Sequence, residues 1–489
     1  MNSVPNRIPG EVHRFFDGPG GHSLIVRGEA GAGKTTFALQ IIEELQSMGG
    51  RFYHSTRVSD RSLLTQFDWL KEIVSETELS DSFAPSKRGA SPEGRQGLSD
   101  LRGIAEGLSC LSKGSNLAIS IGRDMGELEG LYRKIEKTLP QKSLVVIDSI
   151  EAMADSFGIT SAKLLNTIQR DIVEVYGGNV VFISERASPD LDYLVDGVIK
   201  LSRSEFNRRR LREMEILKIR GCEIQQPRYI FTLSGGRIRT FGYPKAEPME
   251  ASTGAWVPIT DRGWAVSTGI ADLDVPLDGL AKGSITLIEL GPGTPSAVSG
   301  AIEASLVSNF AAQGRGVVWV PMRKASAESA RTRIIPFISE EQFGRCVRIP
   351  EKAQQLSYSD APYILPVEGE SAFLDFKWQN LEYSLSGTQR PALVLMGFDT
   401  MRSMYGSDLS DQLMDLLAMV RRSNSVFVAL APPSFDEIGR MADLAATRLR
   451  VDRVGGTVLM YGEEPFTECY SWQFEPREAG GGVSLTPIL

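Results

Sequence analysis

Gly28-Glu29-Ala30-Gly31-Ala32-Gly33-Lys34-Thr35 fits the pattern GxxxxGK[ST] without a mismatch. It follows the apolar run Ser23–Arg27 and opens an amphipathic segment, Thr35–Glu44, with Phe37, Leu39, Ile41 and Ile42 on one stripe. The spacing therefore predicts a strand, a phosphate loop and a helix. Glycines let successive backbone N–H groups turn inward, and the helix start adds partial positive charge. Gly28, Glu29, Ala30, Gly31, Ala32 and Gly33 would form the cradle, continued by Lys34, Thr35 and Thr36 at the helix start. Lys34 would reach the β- and γ-phosphates of a nucleoside triphosphate, and the Thr35 hydroxyl would ligate Mg2+. Downstream, Ser143-Leu144-Val145-Val146-Ile147-Asp148 places a carboxylate at the end of a buried strand, the edge where open α/β sheets bind ligands. Asp148 would hold the metal through water, and Ser149 would sense the γ-phosphate.

The pattern is written twice. Gly21-His22-Ser23-Leu24-Ile25-Val26 aligns with Gly283-Ser284-Ile285-Thr286-Leu287-Ile288, Gly31 falls on Gly293 without a gap, and Asp148-Ser149 falls on Asp399-Thr400. Each half alternates strand-like and helical segments, which implies an α/β fold of two tandem domains, each a mostly parallel sheet flanked by helices. Strands are expected at 23–27, 51–55, 143–147, 180–184 and 215–218, then at 285–289, 317–320, 393–398, 426–430 and 457–461. The expected division is a first domain over 1–241, a linker over 242–263 and a second domain over 264–489. The polar Gly/Ser/Pro-rich stretch Ser80–Asp100 reads as a surface insertion. In the second half Gly28, Gly33, Lys34 and Thr35 become Leu290, Pro295, Ser296 and Ala297. A proline lacks a backbone donor, and the cation and hydroxyl are gone, so this half is expected to be a pseudo-ATPase.

Composition narrows the rest. The 489 residues are 42% hydrophobic and 23% charged, as in ordinary globular proteins. Net charge is -8, so bulk nucleic-acid binding is disfavoured and would need a local patch. Cys110, Cys222, Cys346 and Cys469 show no CxxC spacing, which suggests neither a disulfide framework nor a zinc site. The longest apolar run, Ala392–Phe398, is strand-length, and no signal-like segment opens the chain. A cytoplasmic protein with no membrane partner is the expectation.

The phosphate loop, Asp148-Ser149, Ser184-Glu185-Arg186 and the run from Glu215 to Gly221 together resemble the KaiC/RadA branch of RecA-fold ATPases. Ser267-Thr268-Gly269-Ile270-Ala271-Asp272-Leu273-Asp274 looks like the STGxxxLD opening of the same family. Around His22–Lys34 and Ser55–Leu70 the chain is most similar to the archaeal GvpD P-loop proteins, named for gas-vesicle regulation. The resemblance implies ATP with Mg2+ and a homo-oligomeric ring, commonly a hexamer. It also implies that Lys218 and Arg220 act as catalytic cations on a neighbour's γ-phosphate, with Lys34, Asp148 and Ser149 acting in the same chain. Leu459 and Tyr461 are the expected counterparts of Lys218 and Arg220 in the second half. One departure is plain: where the family places catalytic glutamates, this chain reads His54 to Asp60 with none, leaving Asp60 as a substitute. ATP hydrolysis is therefore expected to be slow.

The basic run Arg203–Arg220 carries Arg208, Arg209 and Arg210 side by side, on a loop expected to project between strands. Read from the residues, it would dock an acidic protein partner or a nucleic-acid backbone, or serve as an interface hairpin in a ring; the resemblance to GvpD-type regulators, with their arginine-rich segments, favours a regulatory protein partner. Three readings follow: a nucleotide-switched regulator, for example of gas vesicle genes; a DNA-dependent ATPase of repair or recombination; and an autokinase. The first is favoured, because the negative charge opposes the second and the dismantled second site opposes the third.

Overall fold

Apolar runs such as Leu144–Ile147 can be satisfied only where both faces of a strand are covered, and that is where they lie. The computed structural model describes residues 7–55, 60–73, 117–121, 125–186, 189–243, 254–353, 361–475 and 482–489. Thr56–Ser59, the Ser80–Asp100 insertion and Cys110 fall outside the described residues. The chain divides into two compact units, Met1–Gly242 with Leu489, and Tyr243–Ile488.

The first unit is built on a nine-stranded sheet. Its strands are β1 (Ser23–Gly28), β2 (Gly50–Ser55), β3 (Leu117–Ile121), β4 (Ser143–Asp148), β5 (Asn179–Ser184), β6 (Gly197–Phe206), β7 (Arg209–Ile219), β8 (Arg228–Thr232) and β9 (Arg239–Phe241). The order is β3-β2-β4-β5-β1-β6-β7-β8-β9, parallel as far as β6 and antiparallel beyond it. Successive strand residues feed opposite faces. Leu144, Val146, Val181 and Ile183 pack with Phe37 and Ile41 of the Lys34–Glu44 helix. Val145, Ile147, Val180 and Phe182 pack with Leu165 and Ile168 on the other face.

The second unit repeats the plan. Its strands are β10 (Ala265–Val266), β11 (Leu280–Ala281), β12 (Ile285–Leu290), β13 (Arg315–Val320), β14 (Val347–Lys352), β15 (Ile364–Val367), β16 (Gln389–Gly397), β17 (Val426–Ala431), β18 (Thr447–Val454), β19 (Thr457–Glu464), β20 (Tyr470–Phe474) and β21 (Val483–Pro487). The large sheet runs β15-β14-β13-β16-β17-β12-β18-β19-β20-β21, which matches the first order strand for strand once the extra edge strand β15 is set aside. The protein is thus α/β, with two RecA-like units. Of the stretch expected to be a linker, 244–253 lie outside the described residues. From Gly254 onward it is part of the second unit: Trp256 is buried and donates its backbone N–H to Phe337 O, and Arg315 holds Asp261 at 2.7 Å.

Strand pairing corrects one expectation. Gly28 lies opposite Leu201, and Leu290 lies opposite Val451, so Leu201 and Val451 are equivalent. Three residues earlier on each strand, Val198 faces Lys218 and Arg448 faces Glu464, each beside a register shift. The counterpart of Lys218 is Glu464, and by count that of Arg220 is Phe466, rather than Leu459 and Tyr461. The alignment floated there because the sequence alone does not display the bulges.

Candidate functional site

The phosphate loop runs from the end of β1 into the Lys34–Glu44 helix. Gly28 has φ 157°, and a Cβ there would sit 2.2 Å from the Leu201 carbonyl oxygen, so no side chain fits between β1 and β6. Gly33 caps the helix at φ 100°, a conformation that L side chains rarely adopt. Lys34 is buried and folds back over its own loop, donating to Gly28 O at 2.7 Å and Glu29 O at 2.9 Å. Thr36 is buried in the first helical turn, and Ala32 N donates to Glu29 O at 3.1 Å to close the loop.

Thr35 Oγ1 donates to Asp148 Oδ2 at 2.8 Å. Tyr53 on β2 donates to the same oxygen at 2.7 Å. Burial pushes the Tyr53 phenol well above its ordinary value, and the adjacent Asp148 carboxylate adds to the shift. The phenol therefore stays a donor. Among the described residues no group of three His, Cys, Asp or Glu side chains converges as a metal site. A Mg2+ ion would rest on Thr35 and Asp148 and take its other oxygens from phosphate and water, which is how this ion is usually held.

The remaining expected residues are placed as follows. Ser149 is fully buried and caps the Ile150–Ser156 helix, accepting from Ala152 N at 3.4 Å. Lys218 donates to Asp192 O at 3.1 Å and to Val195 O, and Arg220 pairs with Asp196 at 3.2 Å. Burial and the neighbouring Arg220 push the Lys218 ammonium down. These two cations belong to the β7 end that faces Asp192–Asp196, not to the phosphate loop of their own unit. Asp60 begins the Asp60–Gln66 helix. Arg208 sits in the β6–β7 turn at φ 63°, but Arg209 is 2% exposed with its guanidinium on Asn207 O at 2.7 Å. The three adjacent arginines are therefore not one projecting surface cluster, because Arg209 and Arg210 already belong to a strand whose side chains alternate.

Sequence reading missed two groups. Tyr53 is one; its signal is the alignment of β2 beside β4, which sets Ser55 against Asp148. Glu151 is the other: buried, it accepts from Ser184 Oγ at 2.5 Å and from Glu185 N at 3.2 Å, tying the end of β5 to the helix that follows Asp148.

The second unit lacks this arrangement. Gly293 repeats the φ 75° of Gly31, but Pro295 occupies the cap position of the Ser296–Ala312 helix. Asp399, the counterpart of Asp148, accepts from Arg323 N at 2.6 Å and from Thr400 N at 2.8 Å. Its carboxylate is spent on fixing a neighbouring turn.

A RecA-like α/β sheet whose first strand ends in a complete phosphate loop defines a P-loop protein. Residues 12–217 match the family model described as GvpD gas vesicle protein, P-loop domain. The chain is similar to two proteins of Halobacterium salinarum: it is 21% identical to Protein GvpD1, covering 99% of this chain and 97% of the relative, and 24% identical to Protein GvpD2, covering 94% and 92%. Over residues 12–217 the chain is thus similar to the P-loop domain of GvpD proteins. No helix among the described residues is long and apolar enough to cross a membrane.

Proposed function

We propose that the first unit binds Mg-ATP and that its nucleotide state controls contact with a regulatory protein partner, in a gas-vesicle context given by the family and relatives it matches. The observation that carries this reading is the convergence of Thr35 and Asp148 beside an intact loop, set against Asp399 locked onto Arg323 N. The loop N–H groups and Lys34 bind and orient the phosphates, while Thr35 and Asp148 would hold a Mg2+ ion, which would supply charge neutralisation for the phosphates. Tyr53 fixes the Asp148 carboxylate. The second unit serves as a pseudo-ATPase scaffold.

Hydrolysis is slow in this reading, since the stretch after β2 offers no glutamate. Lys218 and Arg220 serve the γ-phosphate of a neighbouring chain in a homo-oligomeric ring. The test is affinity capture on immobilised protein with ATP, with ADP and with neither. A partner retained in one nucleotide state alone supports the reading, and capture indifferent to nucleotide contradicts it.

A further inference from the structure

The β6–β7 hairpin brings two arginines to the phosphate loop of their own chain. Arg203 and Arg212 stand directly opposite each other across the two strands. Arg203 donates to Ala30 O at 3.0 Å, and Arg212 donates to Gly31 O at 3.1 Å. Arg212 is 8% exposed, and its Nε donates to the main-chain oxygen of Leu489, which clusters with this unit. Among the described residues neither guanidinium pairs with an aspartate or glutamate side chain.

Such a placement is unfavourable by itself. Like charges directly opposite on a hairpin repel. Burial, followed by the repulsion of Arg210 and Arg203, pushes Arg212 down from the usual arginine range. An arginine carries five N–H donors, so each side chain keeps donors beyond those used here. The loop the pair touches is built to hold a multivalent anion.

The two units supply an internal comparison. The counterparts of Arg203 and Arg212, counted from the same strand pairing, are Arg453 and Val458, which also face each other. Where the phosphate loop has lost Lys34 and Thr35, one member of the pair has become valine. The pair is complete only where the loop is complete.

We propose that Arg203 and Arg212 form a phosphate clamp in the same chain, one that distinguishes a nucleoside triphosphate from a diphosphate. Their bonds to the Ala30 and Gly31 carbonyls hold the outer side of the loop, so that its N–H groups face the ligand. Their spare donors meet the charge that the third phosphate adds. The hairpin tip carries Asn207 and Arg208, so the clamp links the site to an exposed turn. This inference rests on the reading that nucleotide binds at Gly28–Thr36.

Equilibrium titration of the full chain with Mg-ATP and Mg-ADP tests it, using Arg203→Met, Arg212→Met and Arg212→Lys. Arg203 is exposed, so Arg203→Met keeps the test decisive if the buried substitution disturbs folding. Loss of a charged hydrogen-bond donor is expected to weaken ATP binding about tenfold while ADP changes by less than about threefold. Arg212→Lys should recover part of the loss, and the ATP preference should fall with added salt. A folded Arg203→Met chain that binds both nucleotides as the parent does would overturn the clamp and leave the loop reading standing. A parent chain that binds neither nucleotide would overturn both.

Discussion

Thr35 and Asp148, 113 residues apart in the chain, share a 2.8 Å hydrogen bond at the mouth of the phosphate loop. One sits at the start of a helix and the other at the end of a buried strand, so parallel packing of β1, β5 and β4 sets their distance. In the nucleotide-bound protein both would turn to the metal. Thr35→Ala and Asp148→Asn should each raise the Mg2+ concentration for half-maximal ATP binding about 10–100-fold, by analogy with the loss of groups that support metal ligands. Titration of Mg2+ at fixed ATP reads this out, and an unchanged midpoint in both variants contradicts the assignment.

Tyr53 donates to the same Asp148 oxygen, from a site where burial keeps its proton on. Tyr53→Phe leaves the ring and removes the donor. Loss of one partner of a buried carboxylate should cost about 1–2 kcal/mol in urea unfolding. It should also loosen Mg2+ dependence, an effect that a purely structural role for the phenol would not produce.

His54 follows Tyr53 on β2, and burial together with Lys134 pushes its pKa down to about 4. The unfolded chain, with an ordinary imidazole near 6.5, takes the proton first. The stabilisation is complete above the unfolded value and is lost as pH falls from there toward 4. By pH 5 the loss should reach about 2 kcal/mol. His22 is shifted in the same direction, so comparison of parent with His54→Gln isolates the His54 share. Chemical denaturation at pH 7.5 and pH 5 should show a smaller acid loss in the variant, and equal losses would refute the claim.

The α/β class and the duplication were legible because GxxxxGK[ST] and the apolar run ending in Asp148 each carry a local geometry that recurs at fixed spacing. The β6–β7 hairpin was not. Its first strand, Gly197–Phe206, alternates buried and exposed residues only in part, and its arginines read as a charge run. The burial of Arg209 and the reach of Arg203 and Arg212 to the loop depend on cross-strand register, which spacing along one chain does not encode. The same limit explains the misplaced counterparts of Lys218 and Arg220. Tyr53 was invisible for a related reason: a tyrosine in an apolar strand signals core until its neighbour strand is known.

Lys218 and Arg220 are held by Asp192 O and Asp196 within their own chain, away from their own loop. If they serve a neighbour, turnover per chain should rise with protein concentration and stay below the enzyme median of roughly 10 per second. Mixing Lys34→Ala chains with Arg220→Ala chains should restore activity that neither has alone. Activity in the mixture no greater than the sum of its parts would argue against shared sites.

In the proposed function one unit binds nucleotide and the other does not. Its most direct measurement is the stoichiometry of ATP binding, by equilibrium titration of the full chain in the presence of Mg2+. One ATP per chain is expected, abolished by Lys34→Ala and untouched by Asp399→Asn, since Asp399 is committed to Arg323 N at 2.6 Å. Two ATP per chain, or a site that survives Lys34→Ala and disappears with Asp399→Asn, would contradict it.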